Sequence, residues 1–328
     1  MSKLVSVIIP CFNAEKWLRE AISSVLAQTH PQIEIIVIDD GSSDRSLEII
    51  KSYGNKITWH SRENGGANSA RNLGFSLSHG DYIQYLDADD YLLPAKIAKQ
   101  VQCLQAASID FVYGDWRYQH HLDSGEIMLG DVNQCGPKDD FLQSLLANER
   151  WSNLAPILLT RSLVSRVRWD ESLPAAQDRD FLFSIMLAGA KCAYQSGCDS
   201  IYRIHEANTV SRASKLRWFQ AHCLVMEKAE QSLLAQGLLS QKYQQALAKA
   251  YLEMGKEYVY SNCGVRNKFT YYAKALDKAC VLAPHLVIQN KSKIYKVISS
   301  LLGYRRTEKI SYLLYSQTRR QLPIPPKI

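Results

Sequence analysis

The chain has 328 residues, long enough for two domains, and 46% hydrophobic residues, sufficient for a full core. Its formal charge of +7 lies at one end: residues 291–328 hold nine Lys or Arg against the single acid Glu308, a local +8, so the rest is close to neutral and no nucleic-acid partner is expected. The eight cysteines are scattered without a CxxC pair, which argues against a zinc ribbon or a thioredoxin-type site, and no run reaches the ~20 apolar residues of a membrane span.

Leu4–Ile9, a β-branched run ending at Pro10, predicts a first strand. The N-terminal apolar stretch is too short for a signal peptide. With reduced thiols, this leads to the expectation of a cytoplasmic protein. Glu15–Gln28 has helical spacing, with Trp17, Leu18, Ala21, Ile22, Val25 and Leu26 on one stripe. Ile33–Ile38 is apolar after Glu34, as expected of a parallel strand covered on both faces. It runs into Asp39-Asp40-Gly41-Ser42-Ser43-Asp44, and a helix follows over Arg45–Tyr53. A short strand (Ile57–His60), a loop (Asn64-Gly65-Gly66-Ala67-Asn68) and a helix to about Ser78 come next.

Tyr82–Leu86 predicts a fourth strand, running straight into Asp87, Asp89 and Asp90; Pro94–Ala107 predicts a helix and Ile109–Tyr113 a fifth strand. Residues 115–150 read as loops with one helix, Asp139–Leu146, before a strand at Pro156–Thr160. Phe181–Leu187 is helix-like, which puts Asp178 near a helix N-terminus, an end that favours an anion. Short strands are expected at Tyr194 and Ile201–Ile204. From Lys215 glycine and proline thin out. Apolar stripes recur at helical spacing: Tyr243 to Tyr258, Phe269 to Cys280, and Ile294 to Leu302. The expected organisation is an α/β domain over 1–212 and an all-helical appendage with a basic tail over 213–328.

Alternation of strand and helix argues for an open, mainly parallel α/β sheet flanked by helices. Ligands bind beyond the carboxyl ends of such strands. Pro10–Asn13, Asp39–Asp44 and Asp87–Asp90 all fall at those ends, which suggests one site. A lone acidic turn is ordinarily a solvated surface feature. Here carboxylates one residue apart at a strand end can share one hard divalent cation, such as Mg²⁺, together with substrate phosphates. No GxGxxG or GxxxxGK[ST] loop is present, so phosphates must be met by a metal or by basic side chains.

Five segments together carry a family resemblance: Val5–Asn13, Ile36–Asp44, Glu63–Asn72, Gly80–Asp90 and Gln177–Phe181. In this order and spacing, the first ~210 residues resemble the family 2 glycosyltransferases, inverting enzymes of the GT-A fold. The resemblance implies transfer of a sugar from a nucleotide-diphosphate donor, a UDP-sugar foremost, to a hydroxyl of a glycan or lipid-linked glycan. It implies that Asp40 reads the base, with Pro10, Phe12 and Asn13 lining the same pocket and Asn64, Gly66 and Ala88 at the donor. It also makes Arg71 a basic residue near the donor, Asp89 the direct Mn²⁺ or Mg²⁺ ligand with Asp87 beside it, His205 a group near the metal and diphosphate, and Asp178 the general base.

Two departures bear on mechanism. Gln177 stands where the family often has Glu, and Asp180 is close enough to rival Asp178. The acceptor signature of processive synthases is unmatched, since Arg217-Trp218 lacks its glutamine, so single addition is expected. Rival readings are a non-catalytic sugar-nucleotide binder or scaffold and, against the missing glycine-rich loop, a nucleotidyltransferase. Residues 291–328 are expected to meet an anionic membrane at its inner face or to be plain solvated surface, and the helical appendage could support an oligomer.

Overall fold

The computed structural model describes residues 2–122, 124–149, 153–205, 214–261, 268–288, 303 and 306–307. The chain falls into two compact units, Met1–Leu145 with Arg150–Ala213, and Leu146–Glu149 with Ser214–Ile328.

In the first unit β1 (Val5–Cys11), β2 (Ile33–Asp39), β3 (Thr58–Ser61) and β4 (Tyr82–Tyr85) form a parallel block in the order β3-β2-β1-β4. The connections are α1 (Leu18–Leu26), α2 (Ser46–Ser52) and α3 (Ala67–Leu77). β1 is buried along its whole length. Val5, Val7, Ile9 and Cys11 share a core cluster with Leu18, Ala21, Ile22 and Val25 of α1. Ile8, pointing to the other face, lies so close to α3 that a Cβ on Gly74 would collide with it. A strand sandwiched this way must be apolar on both faces, and Val-Ile-Ile supplies that.

Beyond β4 the sheet is mixed. It continues through β8 (Ile157–Thr160), β6 (Phe111–His121), β9 (Cys192–Ile204) and β5 (Tyr91–Leu92), with β7 (Ile127–Asn133) paired to β6. β9 runs parallel to β6, while β8 is antiparallel to both β4 and β6. The remaining helices of this unit are α4 (Lys96–Ala106), α5 (Phe141–Leu146, whose last residue groups with the second unit), α6 (Arg161–Val164) and α7 (Gln177–Leu187). The fold is the expected helix-flanked α/β sheet, and two of its elements differ from the sequence reading. Residues 115–121 and 127–133, expected as loops, extend β6 and form its partner β7. The two short strands expected at Tyr194 and Ile201–Ile204 are one strand, β9, whose register shifts against β6 near Gly197, a residue at φ +110° that glycine tolerates.

In the second unit α8 (Lys215–Ala235), α9 (Gln241–Ser261), α10 (Lys268–Leu282) and α11 (Pro284–Ile288) are the described helices. Ala246, Leu247, Ala250, Tyr251 and Met254 of α9 are buried, as are Leu276 and Ala279 of α10, so both stripes mark core faces. Tyr258, Phe269, Tyr272, the stripe from Ile294 to Leu302 and most of the basic tail lie outside the described side chains. Among the described residues no helix is long and apolar enough to cross a membrane.

Candidate active site

β1, β2 and β4 are parallel neighbours, so their carboxyl ends share one edge. At the end of β1, Asn13 adopts a left-handed backbone at φ 50°. Its N–H donates to Ser42 Oγ at 3.0 Å and its side-chain oxygen accepts from Ser43 N–H at 2.8 Å, fastening the loops after β1 and β2 together. Pro10 is buried within β1, whereas Phe12 is 52% exposed and offers an open aromatic face.

Asp40 is only 2% exposed. Its Oδ1 accepts from Arg62 Nε at 2.7 Å and Gly65 N–H at 3.0 Å, and its Oδ2 from Gly66 N–H at 2.7 Å. Asn64 Nδ2 donates to the Asp40 carbonyl at 2.9 Å. Gly66 precedes α3 with φ 89°, so the carboxylate sits against the helix N-terminus, where an anion is favoured. Asp40, Asn64 and Gly66 are therefore one cluster. Arg62, which the sequence reading passed over, completes it; the available signal was its position just after β3, at the same sheet edge.

One turn into α3, Arg71 is 5% exposed. Its Nη2 donates to Asp87 Oδ1 at 2.7 Å and stands 3.9 Å from Asp178 Oδ1. Nη1 donates to Asn68 Oδ1 at 3.1 Å and, at 3.4 Å, to Gln177 Oε1. The guanidinium lies 4.4 Å from the ring centroid of Trp169, which stacks in turn on Phe181 at 4.2 Å. Arg71 thus ties α3, the β4 end and the start of α7 together. Asp178 and Asp180 both fall in the first turn of α7. The Asp178 side chain keeps 22% exposure, while Asp180 is 3% exposed. Burial pushes Asp178 up to about 7, with Arg71 pulling it down and Asp87 pushing it further up.

Oxygens of Asp87, Asp89 and Asp90 lie within 4.8 Å of one another. Asp87 and Asp89 retain 35% and 34% side-chain exposure, while Asp90 is 1% exposed. Burial, then the charges of Asp89 and Asp87, push Asp90 well above the usual carboxylate range. Asp90 turns inward and accepts the Arg203 N–H at 2.9 Å; Ala88 is buried between the outward pair. His205, just past β9, places Nε2 3.1 Å from Asp89 Oδ2, and its ring stacks on Trp17 at 5.0 Å. Two accessible carboxylates with an imidazole nitrogen beside them make an oxygen-rich donor set of the kind hard divalent cations take. The sequence reading gave Arg203 no role and placed Trp17 only on the apolar stripe of the first helix, although Arg203 stands two residues before His205 and so on the same strand face.

This geometry can be set beside known proteins. A model described as Glycosyl transferase family 2 matches residues 6–136. An uncharacterized glycosyltransferase of Haemophilus influenzae is 30% identical over 217 residues, covering 65% of this chain and 80% of that protein. An uncharacterized glycosyltransferase of Rickettsia typhi is 48% identical over 103 residues, which is 31% of this chain and 32% of the relative's length. Among solved structures, S. aureus TarS 1-349 in complex with UDP-GlcNAc superposes with a TM-score of 0.71 at 19% identity, covering 97% of this chain and 92% of that one. The mannosyltransferase PcManGT of Pyrobaculum calidifontis, in complex with GDP-Man and Mn2+, gives 0.52 at 17% identity, covering 95% and 88%. Both show likeness of fold.

Proposed function

The chain belongs to glycosyl transferase family 2, and from that premise we propose that it transfers one sugar from a nucleotide-diphosphate donor, a UDP-sugar foremost, to a hydroxyl of a glycan or lipid-linked glycan, inverting the anomeric carbon. The observation that carries this reading is the Asp178–Arg71–Asp87 line: a carboxyl pushed up to about 7 and a carboxylate on the cation turn face the same guanidinium. Asp178 takes the proton of the acceptor hydroxyl as that oxygen attacks. Arg71 lies between the acceptor and donor ends and keeps both carboxylates oriented. Asp87 and Asp89 hold the divalent cation, Mn²⁺ or Mg²⁺, with His205 beside Asp89. When bound, the cation offsets the charge that builds on the departing diphosphate.

Base recognition falls to the pocket over Asp40. A carboxylate offers about four acceptor positions, and three are taken by Arg62, Gly65 and Gly66. The remaining one suits an imide N–H such as that of uracil. Phe12 supplies a stacking face, and Pro10, Asn13 and Asn64 shape the walls. The domain reading, catalytic machinery in 1–212 and a helical appendage from 213, belongs to the same proposal, as does peripheral contact of 291–328 with an anionic membrane surface.

The test is incubation with UDP-sugars and GDP-mannose, each with Mn²⁺, Mg²⁺ or a chelator, reading nucleoside diphosphate release. Release that requires a divalent cation and is lost in Asp89→Ala is expected. Undiminished metal-dependent turnover in Asp89→Ala would overturn the ligand assignment, and release of pyrophosphate would point to nucleotidyl transfer instead.

A further inference from the structure

The Arg203 side chain is 0% exposed. A guanidinium out of water is costly unless its donors and its charge are met, and here they are met by the walls of the candidate cation site. Nη2 donates to Glu20 Oε2 at 2.6 Å, Nη1 to the Asp89 carbonyl oxygen at 2.7 Å, and Nε to Gln119 Oε1 at 3.3 Å. The guanidinium lies 4.7 Å from the ring centroid of Trp17 and 5.1 Å from that of Tyr91. Its own main-chain N–H donates to Asp90 Oδ1 at 2.9 Å. One residue therefore fixes two consecutive positions of the turn that presents Asp87 and Asp89.

The same residue governs the other side of the site. Arg203 and His205 lie on one face of the chain as β9 ends. Trp17 packs against both, so the register that seats Arg203 also delivers His205 Nε2 to Asp89 Oδ2. Arg203 grips the turn through the Asp89 main chain and through Asp90. Its positive charge thus stands behind three crowded carboxylates while the Asp87 and Asp89 side chains stay turned outward.

We infer that Arg203, neutralised by Glu20 of α1, is the positioning residue of the divalent-cation site, given that Asp87 and Asp89 hold the cation as proposed above. A lysine would keep the charge but lose the planar fork that reaches Glu20, Gln119 and the Asp89 carbonyl together.

The test uses the full chain with UDP and no acceptor, reading free Mn²⁺ by EPR titration. Arg203→Lys is expected to weaken Mn²⁺ binding about tenfold to a hundredfold, the range for groups that orient metal ligands. Glu20→Gln should weaken it in the same direction by about twofold to fivefold, as suits a partly exposed pair. Metal-free thermal midpoints check that the variants fold, and excess Mn²⁺ should return Arg203→Lys most of its kcat. Unchanged Mn²⁺ affinity in folded Arg203→Lys, beside a wild type that binds Mn²⁺, overturns the positioning role alone. If Arg203→Lys does not fold, unchanged affinity in Glu20→Gln does the same. A wild type that binds no Mn²⁺ with UDP overturns the cation reading and the positioning role with it.

Discussion

A general base works best when its pKa sits near the working pH. Asp178 reaches about 7 because burial penalises its charge and Asp87 adds to that penalty, while Arg71 recovers part of it from 3.9 Å. In the proposed role Asp178 must be ionised to take a proton, so activity would be present above its pKa and lost below. With donor and acceptor well under saturation, kcat/KM should fall about tenfold per pH unit below about 7 and level off above it. A profile flat from pH 5 to 8 would remove Asp178 from that role. Asp178→Asn should lower kcat by about 10²- to 10⁴-fold with little change in donor KM, the signature of a group that acts in the transition state. Asp180, at 3% exposure, should not show that split. The identity of this residue was legible as a carboxylate at a helix start. Its pKa was not, because it depends first on burial and then on Arg71, 107 positions away in sequence, and on Asp87.

At the scale of elements, α3 is the part whose placement the site depends on. Its N-terminus is held by Asp40 through the Gly65 and Gly66 amides, and its body lies on β1 at Gly74, where a Cβ would run into Ile8 Cγ2. Ile8 is fully buried and β-branched, so it has little room to give. Gly74→Ala gains about 1 kcal/mol of helix propensity but overpacks the strand–helix contact, at a cost of about 1–3 kcal/mol. A net loss of up to about 2 kcal/mol in urea unfolding is expected, together with reduced activity, because Arg71 rides on the same helix. A stabilised Gly74→Ala would mean that the contact is looser than it stands. Local patterns made α3 legible through the Gly65-Gly66 break and the residues after it. They did not make the β6–β7 hairpin legible: Arg117, Gln119, His120 and His121 give no apolar alternation, and Gly125 and Gly130 read as loop. Its pairing is set by partners, β9 on one side and β7 on the other, and propensity yields to that.

For the whole molecule, the parallel block could be read because β1 and β2, buried over most of their length, are written as mainly apolar runs, and the exposed edge strand β3 follows them in order. The mixed half could not, since β8 enters between β4 and β6 from a distant part of the chain. The same non-locality affects where the chain divides. The sequence suggests one boundary near 213, where texture changes, yet Leu146–Glu149 groups with the helical unit, and Glu149 lies 3.7 Å from Lys249 of α9. Leu146 is 0% exposed. In the full chain Leu146→Ala should cost about 2–5 kcal/mol, as for a buried leucine. In a fragment ending at residue 213 the leucine loses the unit it packs with, and the same substitution should cost close to nothing. Urea midpoints of the four proteins decide the matter. Equal costs in the fragment and the full chain would assign Leu146 to the α/β unit and restore a single boundary near 213. A cost confined to the full chain would mean that Leu146 belongs to the helical unit, and that cutting at 213 strands an apolar side chain in water.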